Sequence, residues 1–262
     1  MNKRYKIILL LLIVILAISS CFFIKEIAEN KKEIEIYEEL QEIVQEEENL
    51  THEDDHTGIL KNETSNKSNE KSSNNYNLEN ISKINTDVIG WIKIEGTNIN
   101  YPVMQNGNYY LHRNIYKSYS KHGTPYLAEY CDFRKSDNLI IYGHNMKDGS
   151  MFSKLTNYDN YKFYQEHKYI DFYTLEAGET IKNTYEIAVV LKTTAYSDNS
   201  FKYYNYINFS SAEELNAFIE KSRELELYNT GLKISYGDKL LTLSTCEYSQ
   251  ENGRIVVIAK KI

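Results

Sequence analysis

Two residues that could do chemistry together stand at one end of a pattern typical of a β-hairpin. Residues 242–261 read TLSTCEYSQENGRIVVIAKK, in which Cys246 ends one β-like run and Arg254 starts the next. The connection is polar and contains Asn252-Gly253, a pair typical of tight turns. If the two runs pair, the thiol and the guanidinium are neighbours. A buried thiol and an exposed cation are the commoner arrangement for such a pair, so other residues must decide between structure and chemistry.

A thiol becomes a useful nucleophile when a base takes its proton, and histidine is the usual base. Among the six histidines, His144 directly follows the apolar run 139–142 and Gly143. A strand that ends in Gly-His would present an imidazole at the rim of a sheet. We expect the other five at the surface, because they lie in acidic or polar surroundings: His52, His56, His112, His122 and His167.

These side chains define a candidate site for covalent catalysis. Cys246 would be the nucleophile and His144 the acid and base, while Arg254 could stabilise a developing oxyanion or hold a substrate peptide. A Cys-His-Asn arrangement fits poorly. Asn145 directly follows His144 in the chain, so its side chain need not orient the ring.

The start of the chain predicts export. Three basic residues, Lys3, Arg4 and Lys6, precede eighteen apolar-to-neutral residues at 7–24, which is the lower limit for a helix that spans a bilayer. Basic residues on that side favour a cytoplasmic N-terminus. We expect an uncleaved membrane anchor. A cleaved signal peptide and a lipoprotein signal ending at Cys21 are the alternatives, and either would also export the remainder.

The net charge of −7 belongs to one segment rather than to the whole chain. Residues 25–56 contain thirteen acidic and three basic side chains, whereas residues 57–262 contain twenty-four of each. No basic stripe runs along the sequence, so nucleic acid is not an expected partner.

The cysteines are too few for a disulfide framework. Only Cys131 and Cys246 lie beyond the N-terminal apolar run, and small exported domains that rely on disulfides carry more. One disulfide between these two is one interpretation. A functional thiol at Cys246 with a packed, buried Cys131 is the other, and we favour it.

Composition divides the chain into three regions. Residues 1–24 form the predicted anchor. Residues 25–78 combine a charged, solvated stalk helix at Lys25–Leu50 with a Ser/Asn/Lys/Glu-rich linker at Lys61–Asn77. Such a linker buries too little apolar surface to offset the entropy lost on ordering. Residues 79–262 form the predicted catalytic domain.

Short runs rich in Val, Ile, Thr and Tyr, punctuated by Gly, Asn and Asp, predict strands in this domain. The runs are Val88–Ile94, Ile99–Met104, Thr124–Ala128, Leu139–Tyr142, Tyr169–Leu175, Tyr185–Thr194, Lys239–Cys246 and Arg254–Ile262. Helices are predicted at Asn80–Asp87, Met151–Tyr158 and Ser211–Leu227, the last with an apolar stripe of Leu215, Phe218 and Ile219. Eight strands with few helices favour a mostly β protein with a closed or nearly closed barrel.

Several separated motifs resemble those of the sortases, and specifically class B. They are TLSTC followed by Arg254, YGHN at Tyr142–Asn145, the downstream KDGSMFSKL, and VIGWIKIEGTNINYPVMQ at Val88–Gln105. The helix predicted at Ser211–Leu227 is similar to an insertion of that class before the strand that carries the cysteine. The resemblance covers residues 79–262.

The resemblance implies a membrane-anchored transpeptidase on an eight-stranded sortase barrel, with the catalytic domain on the extracellular side. Cys246 would attack the Thr carbonyl of a C-terminal sorting signal in an exported protein, with His144 and Arg254 in the roles given above. An amine of peptidoglycan would then resolve the thioacyl intermediate. Ser244 and Thr245 would contact the substrate or the backbone. The class needs no metal or other cofactor, so none is expected.

Three alternatives stay open. The first is a sortase of another class, such as a pilin polymerase, although the only prolines are Pro102 and Pro125 and an Asp-Pro-Trp-like lid is therefore missing. The second is a cysteine peptidase that hydrolyses the thioester instead of transferring the acyl group. The third is a silent binding domain, which would be expected to lose one of the three candidate residues.

Overall fold

The computed structural model describes residues 3–45, 76–196 and 200–262. Residues 61–75 of the predicted linker and residues 46–50 of the predicted stalk helix lie outside the described residues, as do His52 and His56. The division of the chain at residues 24 and 78 stays a prediction.

Eight strands in the described part of the chain form one sheet. They are β1 (Val88–Lys93), β2 (Asn100–Met104), β3 (Tyr126–Leu127), β4 (Asn138–Tyr142), β5 (Tyr169–Glu176), β6 (Glu179–Thr194), β7 (Leu240–Cys246) and β8 (Gly253–Lys261). The sheet closes into a barrel in the order β1-β2-β3-β4-β7-β8-β6-β5, with β5 pairing back onto β1. The pairs β2–β3 and β4–β7 are parallel, and the other six are antiparallel. The predicted eight-stranded, mostly β barrel is confirmed.

The strands that carry the candidate residues are deeply buried. In β7 every residue before Cys246 is buried, and β8 is buried from Ile255 to Ala259. The 3₁₀ helix Ser153–Asp159 packs on the outside of both strands. Because β8 faces protein on both sides, its Ile255–Ala259 stretch is a continuous apolar run rather than an alternating one. β7 also buries Thr242, Ser244 and Thr245, whose hydroxyls are all hydrogen-bonded.

Four α-helices within the described ranges flank the barrel: α1 (Lys3–Gln45), α2 (Leu78–Ile84), α3 (Tyr161–Glu166) and α4 (Ala212–Glu224). The Ser211 side chain caps α4 by accepting the Glu214 N–H at 3.3 Å. The predicted stripe of α4 is buried, so this prediction is confirmed. The helix predicted at 151–158 is instead the 3₁₀ helix named above.

Helix α1 runs without a break through the predicted anchor and into the predicted stalk. Every residue from 7 to 24 is exposed, and the helix is long and apolar enough to cross a membrane. The prediction of a solvated stalk is wrong for one face. Tyr37, Leu40 and Val44 are only 3%, 0% and 0% exposed and belong to the same core as the barrel, because their spacing of three and four residues forms one helical stripe.

Two strands differ from their predicted lengths by more than one residue. β3 has two residues instead of five, and Pro125 in the predicted run has no N–H to donate to a neighbouring strand. β6 begins six residues earlier than predicted, at Glu179. The Ala177-Gly178 turn, with φ of 51° and 89°, is a tight two-residue connection that extends the pairing of β5 and β6 to Glu176 and Glu179.

Candidate active site

His144, Cys246 and Arg254 come from three neighbouring strands that meet at one edge of the barrel. In the parallel pair β4–β7, Tyr142 lies opposite Ser244. Two residues further along each chain are His144 and Cys246, which therefore leave the sheet at the same edge. In the antiparallel pair β7–β8, Cys246 lies opposite Arg254. Strand register alone thus places the thiol between the imidazole and the guanidinium.

The three side chains line one cavity of about 320 Å³. Ser244 and Thr245 line it too, so all five predicted site residues lie around the same space. A larger cavity of about 480 Å³ opens at the opposite end of the barrel, near the start of β7, and contains none of them. The smaller cavity is the candidate active site because it has the residue types that nucleophilic catalysis needs.

The turn that carries His144 is held tightly against its neighbours. A Cβ on Gly143 would lie 2.6 Å from the Phe152 ring, so only glycine fits between β4 and that ring. The Thr245 hydroxyl donates a hydrogen bond of 2.7 Å to the Gly143 carbonyl. This contact fixes the end of β4 against β7, and the predicted substrate contacts of Ser244 and Thr245 stay a prediction.

Two other polar side chains close to Cys246 in the chain or in space are also hydrogen-bonded. The Asn145 amide donates to the Cys246 carbonyl at 2.9 Å, so it orients the backbone of the nucleophile rather than the ring of His144. The Ser244 hydroxyl is hydrogen-bonded to the Tyr203 hydroxyl at 2.7 Å. Ser244 is 1% exposed, and this bond accounts for its burial.

The half-buried His144 ring has a defined hydrogen-bond partner. Its Nε2 lies 2.7 Å from the Leu111 carbonyl, which can only accept, so Nε2 carries a proton. In the neutral ring Nδ1 is then the nitrogen with a lone pair. Burial lowers the pKa of His144, and the charges of His112 and His122 lower it further, while the bond to Leu111 opposes the shift. The imidazole is therefore neutral at pH 7.

The Arg254 guanidinium lies at the rim of the cavity. Its carbon is 5.8 Å from the centre of the Tyr196 ring, within reach of a cation–π interaction. Among the described residues, only its Nη1 makes hydrogen bonds, to the Gly253 carbonyl at 2.8 Å and the Asn252 carbonyl at 3.3 Å. Arg254 lines the cavity, so its guanidinium borders the space in which a substrate oxygen would lie.

One histidine prediction is wrong. His112 is exposed as expected and stacks on His144, with 5.5 Å between the ring centres. His122, by contrast, is only 2% exposed, and its Nε2 lies 2.7 Å from an oxygen of Asp148. A carboxylate 26 residues away makes burial of the polar ring tolerable, and no local pattern in the sequence reveals that partner.

The structure also shows the state of the three cysteines and of the side chains that could bind a metal ion. Cys21, Cys131 and Cys246 are all free thiols, so the predicted disulfide alternative is wrong. Cys131 is 3% exposed and its Sγ contacts the Asn138 carbonyl at 3.6 Å, as predicted for a packed thiol. Within the described parts of the chain, no three His, Cys, Asp or Glu side chains are grouped to hold a metal ion.

Most aromatic residues of the site could not be found from the sequence, although Tyr142 lies in the YGHN motif. Five tyrosines line the cavity: Tyr126, Tyr142, Tyr196, Tyr203 and Tyr204. Burial raises the pKa of Tyr126 and of Tyr203 to about 12, so both hydroxyls stay protonated and can donate. The chain contains 24 tyrosines, and this high background hides the others.

A known protein family matches the part of the chain that contains the candidate site. The family model for the sortase domain matches residues 92–262, which include all three candidate catalytic residues and most of the barrel. The chain belongs to the sortase family. Membership of this family makes it a cell-wall transpeptidase of the cysteine type.

Individual relatives agree on the class. The chain is 32% identical over 194 residues to sortase B of Staphylococcus aureus, a match that covers 71% of this chain and 74% of the relative. Sortase B of Listeria monocytogenes gives the same identity and the same coverage. The predicted resemblance to class B is confirmed.

Solved structures extend the likeness to the fold. Sortase B of Clostridium perfringens has a TM-score of 0.63 and 33% identity, covering 70% of this chain and 98% of that one. The Staphylococcus aureus sortase B–substrate complex has a TM-score of 0.68 and 27% identity, covering 90% and 98%. The barrel described above is therefore the sortase barrel.

Proposed function

We propose that Cys246, His144 and Arg254 carry out a transpeptidation on a C-terminal sorting signal of exported proteins. The observation that supports this most directly is the strand register, which places the three residues side by side at one edge of the barrel around a cavity. Each residue has the chemistry that one part of the reaction requires.

In the first half-reaction the Cys246 sulfur attacks the carbonyl carbon of a Thr in the signal. His144 Nδ1 takes the thiol proton, and the sulfur–carbon bond forms as the carbonyl electrons move onto oxygen. Arg254 donates hydrogen bonds to that oxyanion or holds the substrate carbonyl. When the peptide C–N bond breaks, the imidazolium returns its proton to the departing amine, and a thioacyl enzyme remains.

In the second half-reaction an amine of peptidoglycan attacks the thioester carbon. The amine gives up a proton, which passes through His144 to the Cys246 sulfur as the carbon–sulfur bond breaks. The products are a new peptide bond and the free thiol. Because water competes with the amine for the same thioester, hydrolysis is the side reaction that the test must measure.

The location of this chemistry is part of the proposal. Helix α1 can cross a membrane between residues 7 and 24, and the basic residues before it favour a cytoplasmic N-terminus. The barrel would then lie on the extracellular side, where exported proteins and peptidoglycan meet. The chain would be a single-pass membrane protein.

The test is a transfer assay on the full-length chain in detergent micelles. Peptides that differ around a common Thr are incubated with and without triglycine, since one similar structure is a sortase B complexed with that peptide. Mass spectrometry separates the ligated product from the hydrolysed one. We expect ligation that needs the amine and disappears in Cys246→Ala. Hydrolysis at the same rate with and without triglycine would instead identify a peptidase.

A further inference from the structure

The carbonyl that orients His144 is itself held by a second segment of the chain. Leu111, whose carbonyl accepts the His144 Nε2–H, lies in the 3₁₀ helix Tyr109–His112, which begins the loop 109–124 between β2 and β3. A Cβ on Gly123 would lie 2.5 Å from the Leu111 oxygen, so the backbone of Gly123 is in direct contact with that carbonyl. Gly123 has a φ of 59°, which glycine adopts without strain. The position of the Leu111 oxygen therefore depends on the position of Gly123.

Gly123 is in turn held by helix α1. The Tyr37 hydroxyl donates to the Gly123 carbonyl at 2.7 Å and lies 3.0 Å from the Thr124 hydroxyl oxygen. The Tyr37 ring packs edge-on against Tyr101, with 5.3 Å between ring centres. Tyr37 is 3% exposed. One buried hydroxyl of α1 thus contacts the two residues that end the loop.

Thr124 carries the contact to the other side of the loop. Its hydroxyl is 3.0 Å from the Arg113 carbonyl, and its N–H donates to the Tyr110 carbonyl at 3.0 Å. Tyr110 and Arg113 flank the segment that contains Leu111. Thr124, which Tyr37 of α1 contacts, is therefore hydrogen-bonded to residues on both sides of Leu111, whose carbonyl accepts the His144 hydrogen bond.

We propose that the part of α1 around Tyr37 is a positioning element of the active site, which acts through Gly123, Thr124 and the Leu111 carbonyl to hold the His144 ring in the tautomer with Nε2 protonated. Tyr37 is a positioning residue and not a catalytic one, since it touches neither the cavity nor the nucleophile. The inference rests on the proposed catalytic role of His144.

The same helix begins in the predicted membrane anchor. Tyr37 follows residue 24 by thirteen positions in an unbroken helix, a rise of about 20 Å at 1.5 Å per residue. One continuous helix thus connects the predicted membrane segment to the residue that contacts the loop 109–124. The anchor of this chain contributes to the geometry of the site as well as to its location.

The test compares two single changes in α1, made in the full-length protein in detergent micelles. Tyr37→Phe keeps the ring against Tyr101 and removes only the hydroxyl. Gln41→Leu is the matched control, because Gln41 Nε2 donates to the Asn100 carbonyl at 3.0 Å and so joins the same helix to β2 instead of to the loop. Thr124→Val removes the hydroxyl that faces Tyr37 from the loop side and serves as the second test variant.

Three quantities are measured for each variant: kcat and KM for peptide transfer to triglycine, the thermal unfolding midpoint, and the His144 tautomer from ¹⁵N chemical shifts of labelled histidine. We expect Tyr37→Phe and Thr124→Val to lower kcat about tenfold, because misplacing a catalytic group has effects of this order or more. KM should change little, and the His144 signal should move towards a mixture of tautomers. Gln41→Leu should keep the kcat and tautomer of the parent protein.

Two results would overturn the inference. One is an unchanged kcat and tautomer in Tyr37→Phe. The other is an equal loss of kcat in Tyr37→Phe and Gln41→Leu with the tautomer intact, which would mean that α1 contributes stability only. If the parent protein transfers no peptide, the proposed function fails, and the tautomer shift in Tyr37→Phe still decides whether α1 positions the ring.

Discussion

The candidate site has two supports that are built differently. On one side, β4, β7 and β8 place His144, Cys246 and Arg254 by backbone register between neighbouring strands. On the other side, the His144 ring is oriented by the Leu111 carbonyl, in a loop that α1 holds from 86 residues away in the sequence. The strands decide which residues meet, and the loop decides how one ring is turned. The first support needs only a correct sheet, whereas the second needs the helix, the loop and the barrel to pack together.

The largest effect should come from removing the ring that both supports share. We expect His144→Ala to lower kcat/KM by about 10²- to 10⁴-fold, the usual contribution of general acid–base catalysis. His167→Ala is the control, because that ring bonds the Glu95 carbonyl away from the cavity and should keep the parent kcat/KM. A His144→Ala protein with near-parent turnover in a steady-state transfer assay would remove this residue from the mechanism.

The first support, which is the register of β4, β7 and β8, can be tested next at Arg254 on β8. We expect Arg254→Lys to lower kcat by about 10²-fold, the typical loss on removing one oxyanion donor, because an ammonium cannot reproduce the planar fork. Arg134→Lys is the matched control, since its guanidinium stacks on Phe133 away from the site. Equal kinetics for the Arg254→Lys and parent enzymes would contradict a role in the transition state.

Two threonines on β7 separate stability from activity. Thr245→Val removes the bond to the Gly143 carbonyl, and Thr242→Val removes the 2.8 Å bond to the Asn138 side chain at the other end of the same β4–β7 pair. Thr242→Val should lower the free energy of unfolding by about 1–3 kcal/mol, since the buried Asn138 side chain loses a partner, and Thr245→Val by about 0.5–1.5 kcal/mol, since the Gly143 residue is only half-buried. Urea unfolding measures this loss.

Only Thr245→Val should also lower kcat, by a few-fold, because only this bond holds the turn before His144. If both variants lose the same activity, the end of β4 has no special role in placing the ring.

The smallest expected effect concerns the pH at which the His144 ring, oriented by the loop 109–124, takes up a proton. His112→Phe keeps a ring stacked on His144 and removes one of the two neighbouring imidazoles that, in addition to burial, lower the pKa of His144. The imidazolium should then form at a higher pH, so the acid limb of the kcat/KM profile should move upward, because the reaction needs the neutral ring. A limb that stays in place or moves downward would show that the charge of His112 does not act on His144.

The sequence predicted the strand support well. Cys246 and Arg254 were placed together because a turn pair stood between two β-like runs. His144 was singled out because it follows an apolar strand and a glycine. These inferences succeeded since register and burial are properties of short, contiguous segments. The eight strands could be located for the same reason. The length of β3 was overestimated because its predicted run contains Pro125, and the start of β6 was missed because the strand residues next to the Ala177-Gly178 turn are mostly polar.

The second support, which is the contact of α1 with the loop that orients His144, could not be predicted from the sequence. Tyr37 lies in a charged helix whose apolar residues are sparse, so the burial of one face depends on a barrel surface that only the fold creates. The burial of His122 depends on Asp148 in the same way. Contacts between residues 86 or 26 positions apart leave no periodic signature in the chain. The sequence therefore indicated which candidate residues meet at the site, and the structure was needed to show what orients the imidazole.

The central claim is that Cys246 forms a thioacyl bond with the substrate, and intact-mass measurement tests it most directly. The full-length chain is incubated with a transferable peptide in the absence of amine, quenched in acid and weighed, and the modified residue is located by peptide mapping. We predict an added mass equal to that of the peptide acid ending at Thr less one water, located on Cys246 and released by triglycine as an equal amount of ligated product. Peptide transfer without any adduct on Cys246, or transfer that persists in Cys246→Ala, would contradict the account.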